Sequence, residues 1–266
     1  NFSFLPIPIV WLLSIGGAVV FGAAWAFIPA YLQATRGSHV VITTIMFNFI
    51  AASLMVFLLV DVIRDTTQMG PHTVALPKEQ WFPSFKDFAA LLGIKIRYSP
   101  LNISFLLAIV ASVFVWFLVW KTRWGYEMRA VGHNTQAAIY AGISPYKNII
   151  IAMCISGGLA GLLGVNEILG VHHKIVAGFP AGYGFTGIAV ALMGRNHPVG
   201  IFPAAFLFGI LYQGGSEVTF DMPNITRYMF VAVQGVIILF SGALENLFRP
   251  QIENFFVNRL NFKANA

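Results

Sequence analysis

Charge is what this sequence lacks most. Asp, Glu, Lys and Arg make up 10% of its 266 residues, against about 25% in an ordinary soluble domain. Stretches 1–35, 37–60, 98–120, 148–166, 175–194, 196–216 and 228–244 contain none of the four. That excludes a water-soluble globule, because a helix crosses a bilayer with about 20 mostly apolar residues and several of these stretches supply them. Alternation of apolar and polar residues at period two is also missing, which argues against a transmembrane β-barrel. Cysteine is reduced to Cys154, so no intrachain disulfide staples the fold. Neither an initiating Met nor a basic stretch precedes the first apolar run. The expectation is a fragment or a processed product, not a signal peptide.

Catalytic signatures are absent as well. No G-x-x-x-x-G-K-[ST] phosphate loop and no H-E-x-x-H occurs, and His172 and His173 are adjacent instead of four apart, so they do not share a helix face as two metal ligands would. Ser156 and Ser241 lack a nucleophile elbow. The reading is a non-enzyme with no metal and no cofactor of its own. Its net charge of +6 needs no nucleic acid to explain it; a basic face toward the cytoplasm suffices.

What is present is an all-α polytopic bundle, a single transmembrane domain over 1–266. Seven hydrophobic segments are expected near 7–31, 40–63, 101–120, 148–170, 182–194, 199–213 and 225–243. The fifth and sixth are short and separated by "RNHP", so they read as two short spans or one broken element. Alternation places Arg36, 121–147, Arg195 and the tail 245–266 on one side. That side carries nine basic residues (Arg36, Lys121, Arg123, Arg129, Lys147, Arg195, Arg249, Arg259, Lys263) against Glu127, Glu245 and Glu253. The positive-inside bias makes it cytoplasmic. The connection 64–100 is then extracytoplasmic. Its Trp81, Phe82 and Phe85 suggest an element lying at the membrane surface, with a plain loop cap as the alternative.

The few polar residues inside the segments carry the information. Glu167, beside Asn166, is an ionisable group within the fourth segment; it marks a cavity, a partner or a pathway unless it faces water at the interface. Asn48 sits mid-segment and needs a partner, either another helix or a ligand. Gln213 and Gln234 read as structural hydrogen bonders. In "SGGLAGLLG", Gly157-x-x-x-Gly161 reads as a close helix–helix contact. "AGYGFTG" spells a G-x-G-x-x-G at Gly182, Gly184 and Gly187. A dinucleotide site needs a strand before that motif and an acid about 20 residues on; here Pro180 precedes it and 201–211 hold no acid. The glycines instead predict a short helix beginning at 182–187, either bordering a permeation path with Phe185 and Thr186 or packed tightly against a neighbour.

Residues 121–148 form the most telling loop, too long for a turn and basic at both ends. Asn134 or Thr135 can cap a helix over 136–141, and Gly142 suits its stop. Such a short, partly apolar helix in a polar loop reads as a docking element for a cytoplasmic partner.

"VGHNTQAAIYAGI" resembles the coupling-helix loop of permease subunits of ABC importers, in the branch for simple sugars, nucleosides and branched-chain amino acids. Gly132, Asn134, Ala137, Ala138, Tyr140, Ala141, Gly142 and Ile143 match its usual form. "ITTIMFNFIA", "SGGLAGLLG", "GYGFTGIAVALMGRNHPVG" and "QGVIILF" agree in the same order, and the chain is most similar to the nucleoside and simple-sugar permeases. A stretch resembling N-I-G-x-E-G-Q, carried by additional N-terminal helices in that family, is not found in this sequence.

The resemblance implies a multi-pass protein of the bacterial inner membrane. It would pair with a second permease subunit, identical or related, and receive a nucleoside or simple sugar from an extracytoplasmic solute-binding protein. Separate ATP-binding subunits would grip 132–143, with ATP held by those partners. Asn48, Asn166, Glu167, Gly182, Gly184, Phe185, Thr186 and Gly187 are the candidate path residues. Phe179, Tyr183 and Phe185 could stack on a base or sugar face, or simply pack. Two other classes stay open: a secondary transporter or channel that is not ATP-coupled, and a scaffold without transport.

Overall fold

The computed structural model describes residues 6–64, 70–85, 101–179, 182–222, 229–230, 232–237 and 239–240. They fall into two compact units, one up to residue 181 and one from residue 182. Among the described residues there is no strand, and the isolated bridges are His72–Val176 and Ser84–Asn102. Five helices are long and apolar enough to cross a membrane: Ile7–Arg36, Val40–Val62, Ser104–Lys121, Pro145–His172 and Pro198–Thr219. Tyr183–Met193 is a shorter apolar helix. This agrees with the expected bundle, and of the seventh segment the described residues are helical.

In the first unit α1 is Ile7–Arg36 and α2 is Val40–Phe57, which runs on into a π-helical turn Leu58–Val62. Pro6 starts α1 and Gly37, in the left-handed region at φ 64°, ends it. Helix α3 is Ser104–Lys121, α4 is Arg123–His133, α5 is Thr135–Tyr140 and α6 is Pro145–Val165. Helix α6 also ends in a π-helical turn, Asn166–His172.

The dominant packing is α1 against α6. Gly22 meets the backbone of Gly157, and Gly161 meets the backbone of Ala18; residue number rises along one helix as it falls along the other, so the two are antiparallel. Between membrane helices, contact of this kind replaces the hydrophobic drive that lipid removes. The expected close contact at Gly157 and Gly161 is there, and its partner is α1. Helix α2, by contrast, has no buried residue in its α-helical part.

Segment 70–85 folds as a cap over the start of α1 and the end of α6. Leu76 donates its N–H to the His173 carbonyl (2.8 Å), Phe82 to Leu169 (3.0 Å) and Thr73 to Ile175 (3.1 Å). In the last turn of a helix, carbonyls such as that of Leu169 have no partner further along and accept from elsewhere. Trp11 of α1 donates its indole N–H to the Gln80 carbonyl (3.0 Å) and meets Phe82 edge-on. Phe82, Val165 and Leu169 form the core beneath. Trp81 lies flat on the His173 ring, 3.6 Å away. Of the three aromatics of this segment, Phe82 is buried, Trp81 stacks on protein and Phe85 stays exposed.

In the second unit α7 is Tyr183–Met193 and α8 is Pro198–Asp221. The two-helix reading of 182–213 holds, but α8 is not short. At 24 residues it passes through Pro203, which membrane helices tolerate. Hydropathy alone ends the segment at Gln213; the amide there instead donates to Glu217 one turn on, at 3.1 Å, and the helix continues. Gly215 lies against the ring of Phe230.

Candidate docking loop and polar residues of the spans

The candidate docking loop is a bracket of two short helices between α3 and α6. Thr122 closes α3 and opens α4: its hydroxyl donates to the Leu118 carbonyl and accepts the Gly125 N–H at 3.1 Å. Gly125 is required at this corner, since a Cβ would meet the carbonyls of Leu118 and Val119. Arg123 and Glu127 pair at 3.0 Å along α4. Buried Asn148, in the first turns of α6, donates to Ser144 at 3.0 Å and reaches toward the second Glu127 oxygen.

At the tip, Asn134 is the cap of α5, accepting the Ala137 N–H at 3.1 Å. Thr135 instead returns its hydroxyl to Val131. Gly142 sits at φ 77°, and the bonds Ile143 to Ala138 and Gly142 to Ile139, both 2.9 Å, make a Schellman stop. This short helix is therefore held at both ends. Ala138 faces inward at 3% exposure, whereas Ile139 is 50% and Tyr140 93% exposed. Gly132, Asn134, Ala137, Ala141 and Gly142 are exposed, and Ile143 is half-buried. Ile139 is a surface residue that the sequence reading left out; its place beside Tyr140 on a six-residue helix was the available signal.

Glu167 is 6% exposed and answered on both oxygens, by the Asn166 amide at 3.2 Å and by His172 at 3.4 Å. Asn102, ahead of α3, donates to Asn166 at 3.4 Å and accepts the Ser104 N–H at 2.8 Å. Gly170 leaves the space that the Asn102 side chain fills. This network fastens the start of α3 to the end of α6; of the two readings of Glu167 the one facing water is not met, and its partners are Asn166 and His172. Beside it, burial pushes the His173 imidazole below the usual histidine range; the Leu169 carbonyl opposes this and His172 adds to it.

Asn48 stands apart, exposed on α2 without a hydrogen bond to any described residue. An amide in hydrocarbon needs a partner, and none of the described residues supplies one to Asn48. Gly182, at φ 81°, immediately precedes α7. Gly184, Phe185 and Gly187 are exposed and Thr186 half-buried. A Cβ on Gly184 or Gly187 would meet nothing among the described residues, so neither glycine is explained by packing there. Gln234 is buried. Phe179 ends a turn after Val176, and Tyr183 contacts Tyr212 edge-on. Among the described residues no group of His, Cys, Asp and Glu could hold a metal ion.

A family model described as "Branched-chain amino acid transport system / permease component" matches residues 3–242. The guanosine ABC transporter permease protein NupP of Bacillus subtilis is 37% identical over 226 residues, covering 84% of this chain and 62% of the relative. The nucleoside ABC transporter permease protein NupB of Lactococcus lactis is 36% identical over 241 residues, covering 86% and 62%. The glucose ABC transporter permease protein TsgB13 of Haloferax volcanii is 32% identical, covering 88% and 60%. The chain thus spans about three fifths of the length of these relatives. No solved structure gives a significant match. With its apolar helices and this match over most of its length, the chain is a multi-pass inner-membrane protein that belongs to the branched-chain amino acid transport system permease family.

Proposed function

We propose that this chain is a permease subunit of an ATP-driven importer for a nucleoside or a simple sugar. The observation that carries the reading is the exposed Ile139–Tyr140 surface on a helix capped at both ends. In an otherwise apolar chain, that is a built docking site. Separate ATP-binding subunits grip it and hold the ATP, since the sequence has no phosphate loop. The bracket α4–α5 passes their closure to α3 and α6 through Thr122 and Asn148. A solute-binding protein delivers substrate on the cap side, and a second permease subunit completes the path.

Within the path, Asn48 offers an unpaired donor and acceptor to a neutral polar solute. The Gly182–Gly187 start of α7 offers exposed backbone N–H groups. Asn166 and Glu167 contribute from their network, as support for the outer end of α6. The nucleoside or sugar assignment rests on the named relatives; few charges in the spans fit a neutral solute.

The test is Tyr140→Asp in the assembled transporter. At 93% exposure the substitution costs the fold little, so ATPase co-purification and uptake of tritiated guanosine should fall together, by tenfold or more. Full uptake with Tyr140→Asp would overturn the assignment.

A further inference from the structure

We infer that the cap, residues 70–85, is a fixed part of α6 and not a lid, so that whatever displacement α6 makes during transport the cap makes with it. The inference rests on the importer reading but concerns the opposite end of α6 from the candidate docking loop. Mobile lids come from the weakly held end of a structure, with few buried contacts and solvated backbone bonds. Although Phe82 is its one buried residue, this cap is held by backbone bonds along its length. Its chain is bonded at successive points to the end of α6, through Thr73–Ile175, Leu76–His173 and Phe82–Leu169, at 2.8–3.1 Å. Phe82 is 6% exposed in the core. Through Gln80 the cap also takes the Trp11 indole of α1, and α1 is itself in backbone contact with α6 at Gly157 and Gly161. Cap, α1 and α6 are thus one packed body, and packed bodies move as units. A push on the bracket reaches the outer surface through a single continuous helix.

The pair His72 and Val176 allows a direct test. The bonds Thr73 to Ile175 (3.1 Å) and Ala177 to Pro71 (3.4 Å) flank this antiparallel bridge. That makes it a non-hydrogen-bonded pair, whose Cα atoms stand about 4.5 Å apart, within disulfide range. In the assembled transporter with Cys154→Ala, the double variant His72→Cys/Val176→Cys should oxidise at rates equal within about twofold in the nucleotide-free and vanadate-trapped states. Uptake of tritiated guanosine should be the same oxidised or reduced. A rate differing tenfold between states, failure to cross-link, or uptake lost on oxidation and regained with dithiothreitol would each overturn the inference. Absence of ATP-driven uptake in the Cys154→Ala parent would instead count against the importer reading, while equal oxidation rates would still support the strapped cap.

Discussion

Gly157, Gly161 and Gly164 share one helix, yet the space around them differs. A Cβ at Gly161 would strike the Ala18 carbonyl of α1, and one at Gly164 meets nothing within 4 Å. Overpacking a tight contact typically costs about 1–3 kcal/mol, and here the obstacle is backbone, which cannot rotate aside. Gly161→Leu should therefore destabilise the purified protein in detergent by at least that much, read as a lower midpoint on thermal unfolding. Gly164→Leu should shift the midpoint by less than a third as much. Equal effects would mean that α1 and α6 do not meet at this register. The spacing of the glycines announced a contact, but not its partner: Ala18, Gly22 and Ala26 repeat at the same four-residue spacing on α1, yet nothing in either run names the other. Small residues say that something comes close, and nothing local says what.

Among the elements, α5 was the most readable and the cap the least. Asn134 and Gly142 bracket α5 by local chemistry, a side-chain oxygen on a nearby N–H and a left-handed residue at the stop, and both lie within reach of one another along the chain. The choice between Asn134 and Thr135 needed coordinates, because either hydroxyl or amide can cap. Removing a cap of this type costs about 1 kcal/mol. Asn134→Ala should loosen α5, seen as at least fivefold faster amide hydrogen exchange at Ala137 and Ala138, whereas Thr135→Ala should leave those amides unchanged. Similar exchange in both variants would remove Asn134 from the capping role. The cap was illegible for a physical reason. Its ties run from backbone N–H groups to the carbonyls of Leu169, His173 and Ile175, and a backbone bond carries no residue signature. The Asn102–Asn166 bond likewise joins positions 64 apart, beyond any periodicity. Hydropathy also cut α8 short at Gln213, since it scores each amide as solvated and cannot see it paired along the helix.

At the scale of the whole chain, the cap and the α4–α5 bracket lie at opposite ends of α6 in the first unit. From the charge count we propose that the bracket faces the cytoplasm. In intact cells carrying the Cys154→Ala chain, Val74→Cys, 67% exposed on the cap, should react with a membrane-impermeant maleimide. Gln136→Cys on α5 should react only after permeabilisation. The reverse pattern would invert the topology and move the proposed ATPase contact to the wrong side.

The π-helical turn Asn166–His172 has a consequence for how this gene can vary. Such a turn holds about one residue more than an α-helical turn, so losing a single codon there would yield a more regular helix. It would also rotate everything downstream by about 100°. Ile175 would swing away from Thr73 and the His173 carbonyl from Leu76, stripping the strap from its post. In this stretch reading-frame-preserving deletions should be poorly tolerated, even where conservative exchanges of the same side chains are accepted.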